Sequence, residues 1–478
     1  MKRTAIRGYG GSGRTFCVVL VLLVSAWTVG CMMKVEEPTA PNLLLITLDT
    51  TRRDHCSVYG YERGTTPNLV MLAEQGVRFD LAYAPMSVTG PTHATIFTSL
   101  YPIGHGVVKN ALKLGLEYQT LAEILAENGY QTAAVVSSFA LNGKFGYAQG
   151  FEEYDDDFGE AEPIFSDEFW PDHLNEGGLD RRAHHTTRQA IGWLDERRKR
   201  NQPFFLFVHY FDPHAPYVPP MPFAELYVDP NDRSDYLQYL TDLYDAEVAF
   251  TDWQVGVLLE ALDKLSLERN TLVVLVGDHG EGLMQHGYLL HGPNIYEEAV
   301  RVPLLVRWPD QIAAGQVLSS PVEMVDLFPT ILDLLGIEPP PVPIQGRSLA
   351  AALYGDEELD PERPVYLHRR PYKERMLKTL PKYNPQSVDS ILVKGQKYAI
   401  RVGRWKYIEG AEEGTKELFD LDADPGEGSN LYSKLPEKAA ALALQLESWR
   451  LSHTPDGLVQ VPVSDEDEQR LHALGYVD

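Results

Sequence analysis

The sequence predicts an α/β protein with a large mixed, mostly parallel sheet flanked by helices and a smaller C-terminal antiparallel subdomain. Three observations carry this. Nearly unbroken apolar runs at 42–47, 204–208 and 271–276 have the composition of strands buried on both faces, as parallel strands are beneath crossover helices. Segments with helical start and stop signals lie between such runs, so strands and helices alternate. After a proline-rich linker at 339–343, short β-rich runs separated by glycines replace that alternation.

From the N-terminus, Lys2, Arg3, Arg7 and Arg14 precede an apolar run at 16–29, too short and one-sided for a membrane span and typical of an export signal. Thr28-Val29-Gly30-Cys31 resembles the lipobox of bacterial lipoproteins, with Thr28 in place of the usual large aliphatic residue. Cys31 is therefore expected to be the lipid-bearing first residue of the mature chain; the alternative is an uncleaved signal anchor. Either places the body outside the cytoplasm, periplasmic or in the cell envelope and tethered to the membrane. The expected division is a leader at 1–31, a linker at 32–41, a catalytic α/β domain at 42–340, the antiparallel subdomain at 341–460 and a tail at 461–478. Cys17 and Cys31 lie in the leader, so Cys56 is alone in the body and no disulfide framework forms there.

Within the body, the strand at 42–47 is followed by a helix from Thr66-Pro67-Asn68 to Leu72, ended by Gly76. A second helical face at 121–125 stops at Asn128-Gly129, and 132–136 returns as a strand. The acidic, aromatic stretch 151–179, broken by Pro163 and Pro171, is expected to be an insertion covering the site. Residues 303–306 form a further strand and 325–335 a helix leading to Gly336. In the C-terminal part, 391–393, 397–402, 405–408 and 417–421 read as strands, with turns at Gly395 and Gly403, closed by a helix at 436–449. Composition is that of a globular enzyme, 44% hydrophobic and 10% aromatic, while a net charge of −26 without a basic stripe excludes nucleic acid as partner.

Chemistry concentrates where strands end. Asp49, His209 and Asp278 each fall at the C-terminal end of a predicted strand, the edge where ligands gather in such sheets. Asp278-His279 offers one oxygen and one nitrogen ligand between Gly277 and Gly280; with Asp49 and the Thr89 hydroxyl it would make a four-ligand site for one divalent metal ion. That donor set suits zinc or manganese better than calcium, with magnesium the remaining candidate. Thr89 opens Thr89-Gly90-Pro91-Thr92-His93, which reads as a helix entry, where free N–H groups and the helix dipole favour an anionic oxygen. The competing reading is that Thr89 or Thr92 only caps the helix. His209 and His214 share one proline-stiffened loop, and His286 and His291 follow the Asp-His pair. Such imidazoles can protonate a departing oxygen. Lys109 and Asn110 either reach the substrate or serve structure; His105 is expected to hold a turn. A second metal on donors of the 209–214 loop, namely Asp212, His214 or His209, has no complete ligand set.

These motifs, in order, are Asp49 after a strand, Thr89-x-Pro91-x-His93, Tyr101-Pro102-x-x-His105-Gly106-Val107, Phe211-Asp212-Pro213-His214-x-Pro216-Tyr217 and Asp278-His279-Gly280-Glu281. Further on come Tyr296-Glu297-Glu298-x-x-Arg301-Val302-Pro303-Leu304, Asp326-Leu327-x-Pro329-Thr330, Gly346-Arg347-Ser348-Leu349 and Glu417-Leu418-Phe419-Asp420. Together they resemble the sulfatase family of the alkaline-phosphatase-like superfamily. The resemblance implies a divalent metal at Asp49, Asp278 and His279, bridged by the nucleophile Thr89. It also implies that His214 and His291 contact the transferred anion and that His93 stands where the family has arginine. Four departures besides His93 matter. Thr89 replaces the Cys or Ser that sulfatases oxidise to formylglycine, a route closed to a secondary alcohol. Thr50 replaces a second metal aspartate, His279 an asparagine, and His291 a lysine. These changes resemble the phosphoryl-transferring branch. The expected activity is metal-dependent hydrolysis of a phosphoester or phosphodiester, or phosphoryl transfer, with Thr89 attacking and His214 or His291 protonating the leaving alcohol. Sulfuric ester hydrolysis without formylglycine and a non-catalytic carbohydrate- or lipid-binding role are the alternatives. The substrate is expected to be a small-molecule, glycan- or lipid-linked anionic ester, held partly by 151–179 and the loop at 373–386.

Overall fold

The computed structural model describes residues 40–159, 179–197, 202–229, 234–377, 391–455 and 457–473. The leader and the N-terminal part of the linker lie outside them. Strand β1 (Asn42–Leu48) is followed by α1 (Pro67–Glu74), β2 (Val77–Phe79) and α2 (Thr89–Thr98). Then come α3 (Leu121–Glu127), β3 (Gln131–Val135), β4 (Glu153–Asp155), α4 (Ala183–Arg197), β5 (Phe204–Tyr210), α5 (Tyr236–Lys264) and β6 (Thr271–Gly277). Strands β7 (Leu304–Arg307) and β8 (Gln316–Leu318) and helix α6 (Leu327–Leu334) complete the α/β part. The large sheet runs β8-β2-β7-β6-β1-β5-β3-β4. Only β7 runs antiparallel to its neighbours, β6 and β2, so the sheet is mixed and mostly parallel.

Alternation along β1 splits the core, because successive side chains leave opposite faces of a strand. Leu43 and Leu45 pack with Ile96 and Phe97 of α2 and with Leu121 and Leu125 of α3. Leu44, Ile46 and Leu48 pack with Leu69 and Leu72 of α1, Leu194 of α4 and Leu258 of α5. Both layers exclude water from β1, β5 and β6 along their whole length. Truncating one such leucine to alanine would cost about 2–5 kcal/mol. The register then fixes the site: Leu48 aligns with Tyr210 on one side and Gly277 on the other. Asp49 and Asp278 therefore emerge side by side, tied by Asp278 N donating to Leu48 O at 3.0 Å and Asp49 N to Tyr210 O at 3.0 Å.

The C-terminal sheet is a four-stranded antiparallel meander of β9 (Val365–Leu377), β10 (Ile391–Val402), β11 (Trp405–Gly410) and β12 (Thr415–Asp420). One face carries Ile400, Tyr407 and Leu418 against Leu442, Leu446 and Trp449 of α7 (Pro436–His453), together with Tyr101, Ile103 and Val325 of the α/β part. The other face carries Val365, Leu367, Ala399, Ile408 and Phe419 against Tyr83, Ile295, Ala299 and Val300.

Several expectations need correction. Residues 391–393 and 397–402 belong to one strand, and Gly395, with φ +62°, forms a bulge facing Tyr372 rather than a turn. The pairing strand at 365–377 is absent from the sequence reading, because its run of Arg, Lys and Glu hides the alternation. The start of the expected insertion, 153–155, is the edge strand β4, parallel to β3; residues 160–178 lie outside the described set, as do 378–386 of the second expected specificity loop. The expected tail also folds. Val461–Pro462 pairs with Leu112–Lys113, and α8 (Asp465–Ala473) buries Leu471 in the main core.

Candidate active site

Helix α2 begins at Thr89 itself, and every residue in it is buried. Its N-cap residue is Val88 and neither threonine caps it, so the capping reading fails: Thr92 Oγ1 donates to Val88 O at 2.8 Å instead. The N–H of Gly90 is taken by Asn110 Oδ1 at 2.7 Å. A Cβ on Gly90 would stand 2.8 Å from that oxygen and 2.7 Å from the Tyr147 hydroxyl, so only glycine lets Asn110 close on the helix end. The Thr89 hydroxyl is thereby presented from a rigid helix N-terminus to the sheet edge.

Opposite it stand the expected ligands. His279 Nδ1 donates to Gly280 O at 2.9 Å, which leaves the Nε2 lone pair facing the site. That nitrogen lies 3.3 Å from Thr89 Oγ1, 3.6 Å from Asp278 Oδ2 and 3.7 Å from Asp49 Oδ1. Asp278 Oδ1 accepts from Thr50 N at 3.1 Å and His279 N at 2.6 Å, while Oδ2 is buried without a hydrogen bond among the described residues. Burial, and then the neighbouring Asp49, push the Asp278 carboxyl well above its ordinary pKa; burial raises Asp49 as well, and lowers His279. Two buried carboxylates, a directed imidazole lone pair and a hydroxyl are the donor set for a divalent cation. Ligands bound tetrahedrally at about 2.0–2.1 Å sit about 3.3–3.4 Å apart, close to these separations. The residues therefore fit such an ion.

His214 and His291 approach from the next two loops. His214 donates from Nδ1 to Ala215 O at 2.6 Å and stacks on Phe211, and its ring centroid is 4.8 Å from that of His291. His291 lies 4.6 Å from the His279 ring and sets Nδ1 3.2 Å from Glu281 Oε1. Burial opposes a charge on His291, but Glu281 outweighs it and holds the imidazole above its ordinary pKa. Glu281 is itself fully buried and accepts from the Tyr217 hydroxyl at 3.1 Å.

Thr89, Asp49, Asp278, His279, His214 and His291 thus converge. Of the remaining positions, His93 and Lys109 are engaged away from the substrate space, and Asn110 serves structure, one of the two roles open to it. His93 has both nitrogens engaged, Nδ1 with Thr89 O at 2.8 Å and Nε2 with Thr47 Oγ1 at 2.9 Å. Burial, with His209 beside it, lowers its pKa to about 3, so it is a neutral brace between α2 and β1 rather than a proton carrier. Lys109 is drawn off to Glu468 of α8 at 3.2 Å. Asn110 supports the helix through Oδ1, with Nδ2 buried and lacking a hydrogen bond among the described residues. His105 holds its turn, as expected, through Thr95 Oγ1 and Val107 N.

Sequence reasoning missed the supporting residues. Arg52 clasps Asp54 and also donates to Glu281 O at 3.1 Å and Gln285 Oε1 at 2.9 Å, fixing the loop after Asp278. Tyr244 of α5 donates to Thr50 O at 2.7 Å and accepts from Arg52 N at 2.8 Å, holding Thr50 at φ +47°. Glu281 had a signal, its place in Asp278-His279-Gly280-Glu281; Tyr244 had none.

The comparisons agree with this architecture. Residues 41–337 match the family model described as Sulfatase, and 285–453 match the model of the N-sulphoglucosamine sulphohydrolase C-terminal region. The chain is 27% identical to an N-acetylglucosamine-6-O-sulfatase of Bacteroides thetaiotaomicron, with 84% of each chain covered. Among solved structures, one bound to D-glucosamine-2-N,6-O-disulfate aligns with a TM-score of 0.69 at 24% identity, covering 87% of this chain and 99% of the other. The phosphonate monoester hydrolase of Agrobacterium radiobacter also aligns at 0.69, with 22% identity over 86% and 96% of the two chains. The structural likenesses show a shared fold; the family match covers well over half of the chain. The chain belongs to the sulfatase family of the alkaline-phosphatase-like superfamily, whose members act on sulfate esters, and is a hydrolase acting on ester bonds.

Proposed function

We propose that this hydrolase cleaves a phosphoester or phosphodiester through Thr89 as nucleophile, with transfer to a second alcohol as a variant of the same step. The observation that carries this reading is the Thr89 hydroxyl at a helix N-terminus, 3.3 Å from His279 Nε2 and beside two buried carboxylates. A divalent ion held by Asp49, Asp278, His279 and the Thr89 oxygen would supply Lewis-acid charge that favours the alkoxide and neutralises the transferred anion. Thr89 then attacks in line, and the helix N-terminus stabilises the charge gathering there. His291, whose pKa Glu281 holds above its ordinary value, donates its proton to the departing alcohol oxygen. His214, its Nδ1–H already given to Ala215 O, lines the space beside the transferred group. Water entering where the alcohol left releases the group from Thr89, with His291 now taking the proton. Asn110 and His93 hold the nucleophile's helix throughout.

A second reading, a sulfate ester of an amino sugar, is favoured by the C-terminal match to N-sulphoglucosamine sulphohydrolase and by the glucosamine-directed names of the relatives. The threonine weighs against it, because it cannot form the formylglycine hydrate. Metal-stripped protein reloaded with Zn, Mn, Mg or Ca should be assayed on p-nitrophenyl phosphate, bis-p-nitrophenyl phosphate and p-nitrophenyl sulfate. Faster turnover of the phosphate esters, abolished in Thr89→Ala, supports the first reading; preference for the sulfate supports the second. Unchanged turnover in Thr89→Ala defeats the nucleophile. The substrate class we infer is an envelope or extracellular glycan- or lipid-linked ester, reached by a chain exported and anchored through Cys31. Mass spectrometry of the mature N-terminus tests that anchor.

A further inference from the structure

One imidazole at this site is used neither by the ligand set nor by the proton transfer. His209 is in β5, in register with Thr47 of β1, and is fully buried. Its Nδ1 accepts the backbone N–H of Ser137 at 3.4 Å, and the Ser137 hydroxyl donates to the His209 carbonyl at 2.6 Å. A ring nitrogen that accepts an N–H carries no proton, so the neutral ring has its hydrogen on Nε2. Nε2 is buried without a hydrogen bond among the described residues and points toward Asp49 Oδ2, 3.4 Å away, whereas Asp49 Oδ1 is the oxygen turned toward His279. The two oxygens of Asp49 thus face different partners.

His209 also belongs, with His93 and Asp278, to a second group of donors within 4.8 Å of one another. Hydrogen bonding argues against a metal there. His93 Nδ1 is spent on Thr89 O, and its Nε2 on Thr47 Oγ1. A ligating His209 would need its proton on Nδ1, directed at the Ser137 N–H.

We propose that His209 is a positioning residue whose Nε2–H holds Asp49 Oδ2, so that Oδ1 is presented to the metal, with the Ser137 N–H selecting the tautomer. The proposal rests on the reading of Asp49 as a metal ligand. Hydrogen-bond partners of ligands commonly contribute roughly 10–100-fold to metal affinity.

Three measurements test it separately from that reading. In the metal-free protein labelled with 15N-histidine, long-range 1H–15N correlation should show His209 as the Nε2–H tautomer, unchanged when zinc is added. An Nδ1–H tautomer overturns the proposal alone, and a zinc-induced shift of a deprotonated Nε2 makes His209 a ligand and overturns it too. In chelator competition, His209→Ala should weaken zinc binding roughly 10–100-fold. His209→Gln, which restores an N–H near the same place, should recover most of that loss. The cobalt-substituted variants should keep the wild-type absorption band shape, because the ligands are unchanged. Equal zinc affinity in wild type, His209→Ala and His209→Gln overturns the proposal even though the wild-type protein binds metal. A wild-type protein that binds no zinc defeats the metal reading itself, and the proposal with it.

Discussion

Replacing Asp278 by asparagine should change stability in opposite directions with and without metal. The asparagine keeps an oxygen to accept from Thr50 N and His279 N, so the loop holds its shape, but the buried Oδ2 gives way to a neutral amide nitrogen. In the metal-free wild type, the ligand oxygens of Asp49 and Asp278 lie within 4.8 Å of each other. If both are ionised, at an effective dielectric of about 20 they repel by about 3 kcal/mol. Burial raises both folded-state pKa values, and Asp49 raises that of Asp278 further, so their contribution is full below the unfolded value near 3.8 and is lost as pH rises through the folded values. Metal-free Asp278→Asn should therefore match or exceed wild type in urea unfolding at neutral pH and lose less stability between acid and neutral pH. Metal at one hundred times its Kd should add about 2.7 kcal/mol to wild type and almost nothing to the variant. A variant that is less stable without metal, yet stabilised by metal as much as wild type, would refute the reasoning.

Three further outcomes follow from the same geometry. His291→Ala should cost roughly 10²–10⁴-fold on alkyl esters but far less on p-nitrophenyl esters, whose leaving group needs no proton; equal losses on both would remove His291 as the acid. Glu323 accepts from the Tyr101 hydroxyl and Tyr366 N, each at 2.9 Å, where the α/β part meets the C-terminal sheet, and burial pushes its pKa up to about 7 despite Arg363. Its contribution is full below 4.5 and lost as pH rises through about 7, so Glu323→Gln should flatten that decline, by at most about 3 kcal/mol, in urea melts across this range. Deleting residues 461–478 removes Val463 and Leu471 from the main core and the Lys144–Asp467 ion pair, and should lower the Tm and expose the 111–113 segment to proteolysis.

What could be read from the sequence was what local pattern carries. The unbroken apolar runs 42–47, 204–208 and 271–276 have the length and composition of buried parallel strands, and the polar residues closing such strands share one edge. Asp49, Asp278 and His279 were legible for that reason, and Thr89 because a helix entry next to that edge selects an anionic oxygen. What was hidden is non-local. The bracing role of His93, which stands where the family has arginine, was hidden because its second partner, Thr47, lies 46 positions upstream on β1. Lys109 stayed open between substrate and structure because its carboxylate partner, Glu468, sits in a segment whose charged composition resembles a tail. The strand at 365–377 draws its stability from pairing with 391–402, a ladder that its own charged residues do not announce.

The most direct trial of Thr89 as nucleophile is acid-quenched mass spectrometry of metal-loaded protein mixed with excess aryl phosphate. We expect a phosphoryl adduct confined to the peptide containing Thr89 and absent from Thr89→Ala. Full turnover with no adduct on that peptide at any quench time, together with an equally active Thr89→Ala, would contradict the account.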